Sequence, residues 1–115
     1  MERDLKLRTK SFAHDCVKLA LQFPNTRLGL QGQLIRSSTS VAANYRAACI
    51  AQSKKTFISK LSIAIEEIDE SNFWLTFAKD ENVFIGTDQL TKLINESKEL
   101  TAILVSSRIT AQRNV

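Results

Sequence analysis

Side chains that could bind phosphate are concentrated in the central part of the sequence. Residues 16–65 contain seven lysines and arginines and no acid, although the whole chain carries twelve acids and a net charge of only +4. Guanidinium and ammonium groups donate charge-assisted hydrogen bonds to phosphate oxygens, and arginine can do so bidentately. A surface of one sign also speeds the capture of polyanions. The candidate nucleic-acid ligands are Arg36, Arg46, Lys54, Lys55 and Lys60.

This acid-free segment has two interpretations. Its basic residues either form one surface that binds nucleic acid, or they are solvated positions on helix faces scattered around the molecule. Tyr45 and Phe57 are the only aromatic residues in the second half of the segment, and both fall on predicted core faces. Because few aromatic side chains are placed to stack on bases, we expect backbone-directed, weakly sequence-selective and strongly salt-dependent binding.

Residue types that perform catalysis are few in this chain. His14 falls on the polar side of the first predicted helix, which indicates a surface residue. Because it is the single histidine, the chain cannot form the paired Glu-x-x-His motifs of a di-iron bundle. The carboxylates of residues 66–70 lie off the predicted core face, where we expect water rather than a metal. The sequence has no nucleophile motif and no glycine-rich phosphate loop. We therefore expect no enzymatic activity, no cofactor and no metal.

The length and composition of the chain indicate one domain, residues 1–115, with enough apolar side chains for a real core. No apolar run approaches the ~20 residues that cross a bilayer, and the charged amino terminus does not resemble a signal peptide. We expect a cytoplasmic protein that does not contact a membrane. Cys16 and Cys49 lack the spacing of a Cys-x-x-Cys pair, which favours buried thiols over a disulfide or metal site.

The spacing of apolar residues predicts four helices. The first contains apolar positions from residue 12 to residue 23 at helical spacing and is stopped by Pro24 and Asn25. The second begins after Gly29 and runs to about residue 50. Ser53 is a suitable N-cap for the third helix, because its hydroxyl can accept a bond from an unpaired amide of the first turn.

The third predicted helix ends near residues 80–82, and Gly86 and Thr87 provide a break and a cap before the fourth. Short connections favour antiparallel neighbours. The sequence therefore predicts an all-α protein, an up-down-up-down antiparallel four-helix bundle.

One segment, residues 36–41 with the sequence RSSTSV, favours a helix only weakly, since Ser, Thr and Val are mediocre helix formers. A strand is the alternative. We predict a helix because apolar residues continue at helical spacing on both sides. Close approach of another helix would explain the small side chains.

Two predicted helices each carry a second face that the bundle core does not use. The face opposite Leu34 and Val41 holds mostly small residues, as expected where another subunit packs. In the third helix, large apolar side chains, with Phe73 beside them, project away from the core face. Either the helix crossing angles let the core absorb these aromatic residues, or the protein is an oligomer. The candidate interface residues are Arg36, Ser40, Ala43, Ala47, Ile63, Trp74 and Phe77.

The order of motifs from residue 23 to residue 75 resembles a bacterial family, the 23S ribosomal RNA intervening-sequence proteins. A Phe-Pro pair ends the first helix, and residues 33–44 match the pattern Gln-[LI]-x-Arg-[AS]-x-x-Ser-[IV]-x-x-Asn. Ser53 and Phe57 match the opening of the third helix. The chain departs from the family where Arg46 begins an Arg-Ala-Ala sequence in place of Ala-Glu-Gly, and where Thr56 replaces an acid. Both departures remove a negative charge.

This resemblance implies a fold similar to that of the accessory variability proteins of diversity-generating retroelements. Those proteins form barrel-shaped homopentamers whose basic surfaces engage nucleic acid and a reverse transcriptase. The resemblance thus implies a homopentamer that repeats the basic segment around a ring, with RNA or DNA as a partner and a reverse transcriptase or another protein as a further one. It implies no defined activity. The alternative is an adaptor or structural oligomer that contacts another protein and uses its charge for solubility.

Overall fold

Four long helices make up most of the chain. The computed structural model describes residues 2–83 and 87–114, and the side chains of residues 4–83 and 87–114. A short 3-10 helix, Asn25–Arg27, joins the first two helices. The four helices are α1 (Glu2–Ala20), α2 (Leu28–Cys49), α3 (Lys54–Asp80) and α4 (Thr87–Arg113).

The helices pack as the predicted up-down-up-down bundle. Each helix contacts its neighbour in sequence, and α1 also contacts α4, which closes a bundle of 48 × 20 × 19 Å. One continuous apolar core runs along it, with large side chains from every helix removed completely or almost completely from water. None of the described helices combines the length and the apolarity needed to cross a bilayer. The largest of these core side chains include Phe12, Leu19, Leu34, Leu61, Ile68, Leu75, Leu90, Leu100 and Leu104.

The helix boundaries follow the local chemistry of the sequence. Helix α1 ends at Ala20, just before Pro24, which has no amide hydrogen to continue a helix. Helix α2 begins at Leu28, slightly earlier than predicted, so that Gly29 lies in its first turn. The predicted break at Gly86 lies outside the described residues.

Ser53 caps α3 as the sequence predicts. Its hydroxyl accepts a hydrogen bond of 3.0 Å from the backbone N–H of Thr56. We expect Ser53→Ala to lower the free energy of unfolding by about 1 kcal/mol, because this amide then loses its partner. Urea denaturation measures the change, and Ser59→Ala, at an exposed position in the second turn of α3, is the matched control. An equal change in both variants would show that the cap contributes nothing.

Residues 36–41 are helical, which rules out the alternative of a strand. Ser37 and Ser38 are buried, and the Ser71 hydroxyl of α3 donates a 2.9 Å hydrogen bond to the Ser37 hydroxyl. Ser37 in turn donates to the Leu34 carbonyl. These small hydroxyl groups find partners within the protein and let α2 and α3 approach closely, as predicted for this segment.

Cys16 is completely buried, as predicted, whereas Cys49 is only half-buried. Burial raises the pKa of the Cys16 thiol, and the charge of Asp15 raises that pKa further, while a hydrogen bond with Ser38 acts in the opposite direction. The folded state therefore holds this proton to higher pH than the unfolded chain does.

Alkaline pH should accordingly reduce the contribution of Cys16 to stability. Above the unfolded thiol pKa of about 8.5, the contribution should fall by up to about 1.4 kcal/mol per pH unit, because unfolding then releases a proton. Denaturant unfolding of the wild type and of Cys16→Ala between pH 7 and pH 10 measures it. We expect the stability difference between the two proteins to narrow as the pH rises, and a constant difference would contradict the argument.

Candidate nucleic-acid interface

One end of the bundle is formed by the first turns of α1 and α3 and the last turns of α2 and α4. Leu5 of α1, Tyr45 of α2 and Phe57 of α3 line a single depression there, together with Ser107 of α4. We call this half of the molecule the basic end. It comprises residues 4–11, 38–49, 54–65 and 100–113.

The basic end carries most of the positive charge of the protein. Within these bounds the described side chains include nine lysines and arginines and a single acid, Asp4. Glu96 and Glu99 lie just beyond the bound in α4 and contact Arg8 at 2.7 and 3.4 Å, so eight of the nine cations have no ion-pair partner among the described residues. The rest of the described molecule has the opposite balance, with six lysines and arginines against ten acids. The fold thus separates charge along the long axis of the bundle. The cations of the basic end are Lys6, Arg8, Lys10, Arg46, Lys54, Lys55, Lys60, Arg108 and Arg113.

Four of the five predicted nucleic-acid ligands lie at the basic end. Lys54 and Lys55 are exposed in the first turn of α3, which contains no acid, so the positive end of the helix dipole adds to their field. Lys60 is half-buried further along α3, and Arg46 is exposed near the end of α2. Within the described part of the chain, none of these four side chains forms an ion pair.

Arg36, the fifth predicted ligand, lies apart from the other four. Its guanidinium contacts two carboxylates of α3, that of Glu67 at 3.2 Å and that of Glu70. Glu70 also accepts a 2.9 Å hydrogen bond from the indole N–H of Trp74. The acid-free segment therefore does not form one continuous cationic belt, because acids distant in sequence neutralise its more amino-terminal arginines. Arg27 likewise contacts Glu81 at 3.8 Å.

Sequence reasoning missed four cations of the basic end. Lys6, Lys10, Arg108 and Arg113 lie outside residues 16–65, so a charge count along the chain did not connect them with Arg46 or Lys54. Counting charges separately for the two halves of the predicted antiparallel bundle includes these four residues. Arg8 is different, because it forms hydrogen bonds of 2.7 and 3.2 Å with Glu96 and joins α1 to α4.

The predicted interface residues lie mainly on the outer surfaces of α2 and α3. Phe73 and Phe77 are 54% and 42% exposed, so the core does not absorb them, whereas Trp74 packs partly against it. The rings of Phe73 and Trp74 meet edge to face at 4.9 Å. The other predicted interface residues have intermediate or high exposure. Ser40, Ala47 and Ile63 are half-buried, and Ala43 is exposed beside α1.

The carboxylates of residues 66–70 are either exposed or paired with Arg36. Glu66 and Asp69 are exposed, while Glu67 and Glu70 bind Arg36. In residues 2–83 and 87–114, no group of three potential metal ligands is close enough together to hold an ion. His14 is exposed, as predicted from its position on the polar side of α1.

The fold and the charge distribution define a small all-α bundle protein with one cationic end. Residues 3–106 match the family model described as 23S rRNA-intervening sequence protein. The chain therefore belongs to the 23S rRNA-intervening sequence protein family, which confirms the resemblance seen in its motifs.

A solved structure supports the same assignment. It is a protein of unknown function from the S23 ribosomal protein family of Bacteroides thetaiotaomicron VPI-5482. The two proteins share 31% sequence identity and superpose with a TM-score of 0.84, over 93% of this chain and 96% of that one. No curated protein matches this chain.

Proposed function

We propose that this protein is a non-enzymatic, homo-oligomeric nucleic-acid-binding protein, most simply a pentamer, that binds RNA through its basic end. The observation that carries the proposal is the separation of charge along the bundle, with nine cations and one acid among the described side chains of one half. Most of these cations form no ion pair with other described residues, which leaves them available to phosphate.

The chemistry of this surface favours phosphate contacts over the reading of bases. The available groups are lysine and arginine side chains, which bind phosphate oxygens of any sequence. The exposed aromatic cluster of Phe73, Trp74 and Phe77 lies further along α3, away from Lys54 and Lys55. Binding should thus be weakly sequence-selective, and its strength should fall steeply with salt as counterions compete.

Oligomerisation would strengthen this interaction. A cyclic assembly repeats the basic end around a ring, and a long polyanion then contacts several copies at once. The exposed aromatic cluster and the half-buried Ser40 and Ala47 of α2 supply the subunit surfaces in this proposal, whereas Ala43 lies beside α1. Arg36 belongs with these surfaces rather than with the phosphate ligands, because Glu67 and Glu70 already bind it.

A binding titration with structured RNA and duplex DNA across salt concentrations tests the proposal. We expect dissociation constants below ~10⁻⁴ M at low salt, the level of ordinary non-specific binding, and a linear fall of log affinity with log salt. The triple variant Lys54→Gln/Lys55→Gln/Lys60→Gln should lose affinity for RNA and for DNA by the same factor. The slope of log affinity against log salt should decrease in magnitude by about 2 to 3. A changed sequence preference would argue against contacts to phosphate alone.

Three exposed lysines outside the basic end provide the control. Lys79→Gln/Lys92→Gln/Lys98→Gln removes the same number of positive charges from the other half of the bundle. This variant should bind as the wild type does. If both triple variants lose affinity equally, net charge and not the basic end governs binding.

The exposed aromatic cluster favours a second candidate function, that of a protein adaptor. Phe73 and Phe77 form the kind of apolar surface at which proteins associate. If the titration shows no binding of either nucleic acid at low salt, the adaptor function becomes the better explanation, with the charge serving solubility.

A further inference from the structure

A groove of about 600 Å³ runs between α1 and α2 at the basic end. Antiparallel packing places the first turns of α1 beside the last turns of α2, and side chains four residues apart on each helix face the same space. The residues that line it are Lys6, Leu7, Lys10, Ala42, Ala43 and Arg46.

The polar side chains that line this groove are all hydrogen-bond donors. Lys6, Lys10 and Arg46 are exposed, and none of them forms an ion pair with the residues that the structure describes. The described lining contains no carboxylate, amide or hydroxyl side chain that could accept a bond. Such a groove suits a ligand that offers only acceptors along its length. The phosphodiester groups of a nucleic-acid strand offer only acceptors, whereas a peptide strand brings an N–H group at almost every residue that also needs a partner.

The remaining groove residues are compatible with close approach of a strand. Ala42 and Ala43 have small side chains, so a ligand can come near the surface of α2. Leu7 is 61% exposed, which leaves an apolar surface beside the lysines. A sugar ring or the face of a base can cover this side chain while the phosphates reach the cations.

We infer that the groove between α1 and α2 holds the sugar–phosphate backbone of one nucleic-acid strand. Lys6, Lys10 and Arg46 contact successive phosphates, and Leu7 packs against a sugar or a base. This inference rests on the proposed function and locates its principal contact on α1, outside the acid-free segment. Because these cations contact phosphates, which every sequence shares, binding in the groove carries little sequence selectivity.

The first experiment compares two pairs of lysines. Lys6→Gln/Lys10→Gln should bind a fluorescein-labelled single-stranded RNA more weakly than the wild type, by on the order of 30-fold at 0.1 M salt, with a salt slope smaller by about 1.5. Lys79→Gln/Lys92→Gln removes the same charge elsewhere and should change affinity less than twofold. If the wild type binds RNA but both pairs behave alike, the groove assignment is wrong and the proposed function stands. If the wild type does not bind RNA, the groove assignment and the proposed function are both wrong.

The second experiment locates the strand directly. Leu7, near the start of α1, and Leu21, in the turn directly after its end, are 61% and 64% exposed. Each can therefore carry a photo-crosslinking p-benzoylphenylalanine without loss of core packing. Irradiation should join RNA to the protein labelled at position 7 at least tenfold more efficiently than to the protein labelled at position 21. Equal yields would overturn the groove assignment. A position-7 crosslink to a second copy of the chain, with none to RNA, would show that the groove is a subunit contact instead.

Discussion

Reversing the charge of Lys54 and Lys55 is expected to make the protein more stable and, at the same time, a much weaker ligand for nucleic acid. Both lysines lie in the first turn of α3, where the helix dipole disfavours positive charge and no acid compensates them. Lys54→Glu/Lys55→Glu should therefore raise the free energy of unfolding by about 1 kcal/mol. Affinity for RNA should fall on the order of 100-fold at 0.1 M salt, because two phosphate ligands become repulsive.

The opposite end of the same helix provides a control with the reverse pattern. Lys79 lies in the last turn of α3, where positive charge is favourable. Lys79→Glu should lower stability by about 0.5 kcal/mol and leave RNA binding within twofold of the wild type. Urea denaturation and fluorescence anisotropy measure the two quantities separately. If Lys54→Glu/Lys55→Glu gains stability and keeps its affinity, these lysines do not contact phosphate.

Placing a charge in the exposed aromatic cluster is expected to dissociate the oligomer. Phe77 is 42% exposed in the single chain and touches the rings of Phe73 and Trp74. We expect light scattering to give about 65 kDa for the wild type, as for a cyclic pentamer. Phe77→Lys should give the mass of one chain, 12.9 kDa, because a subunit interface cannot bury an unpaired ammonium group without a large cost.

Ile109→Lys is the matched control for Phe77→Lys. Ile109 has the same exposed fraction, 42%, but lies on α4. Ile109→Lys should keep the mass of the wild type.

Because multivalent contact would be lost, Phe77→Lys should also bind long RNA about 100-fold more weakly, while affinity for a very short oligonucleotide changes little. A wild type that is itself monomeric at 12.9 kDa would rule out the oligomer.

The fold could be predicted from the sequence because its main determinants are local. The apolar spacing of α3, the Ser53 cap and Pro24 after α1 each act within a few residues, and all three are confirmed. Residues 36–41 were harder to assign, because their propensity for a helix is poor. Their helical structure depends on α3, whose Ser71 reaches the Ser37 hydroxyl across the helix interface.

The candidate site was less predictable because charge neutralisation depends on residues distant in sequence. Arg36 is 31 and 34 residues away from the two acids that bind it, so a search for acid-free sequence counted it as available. The same search excluded Lys6 and Lys10, which antiparallel packing places beside Arg46. The charge count along the chain placed Lys54 and Lys55 at the basic end, and it did not include the cations of α1 and α4.

Protection of lysines from acetylation tests most directly whether the basic end is the surface that binds nucleic acid. The protein is treated with an acetylating reagent with and without saturating RNA, and mass spectrometry gives the rate at each lysine. We expect RNA to slow the reaction severalfold at the basic end and to leave Lys79, Lys92 and Lys98 unchanged. The lysines that should be protected are Lys6, Lys10, Lys54, Lys55 and Lys60. Equal rates at both ends of the bundle in the presence of bound RNA would contradict the account.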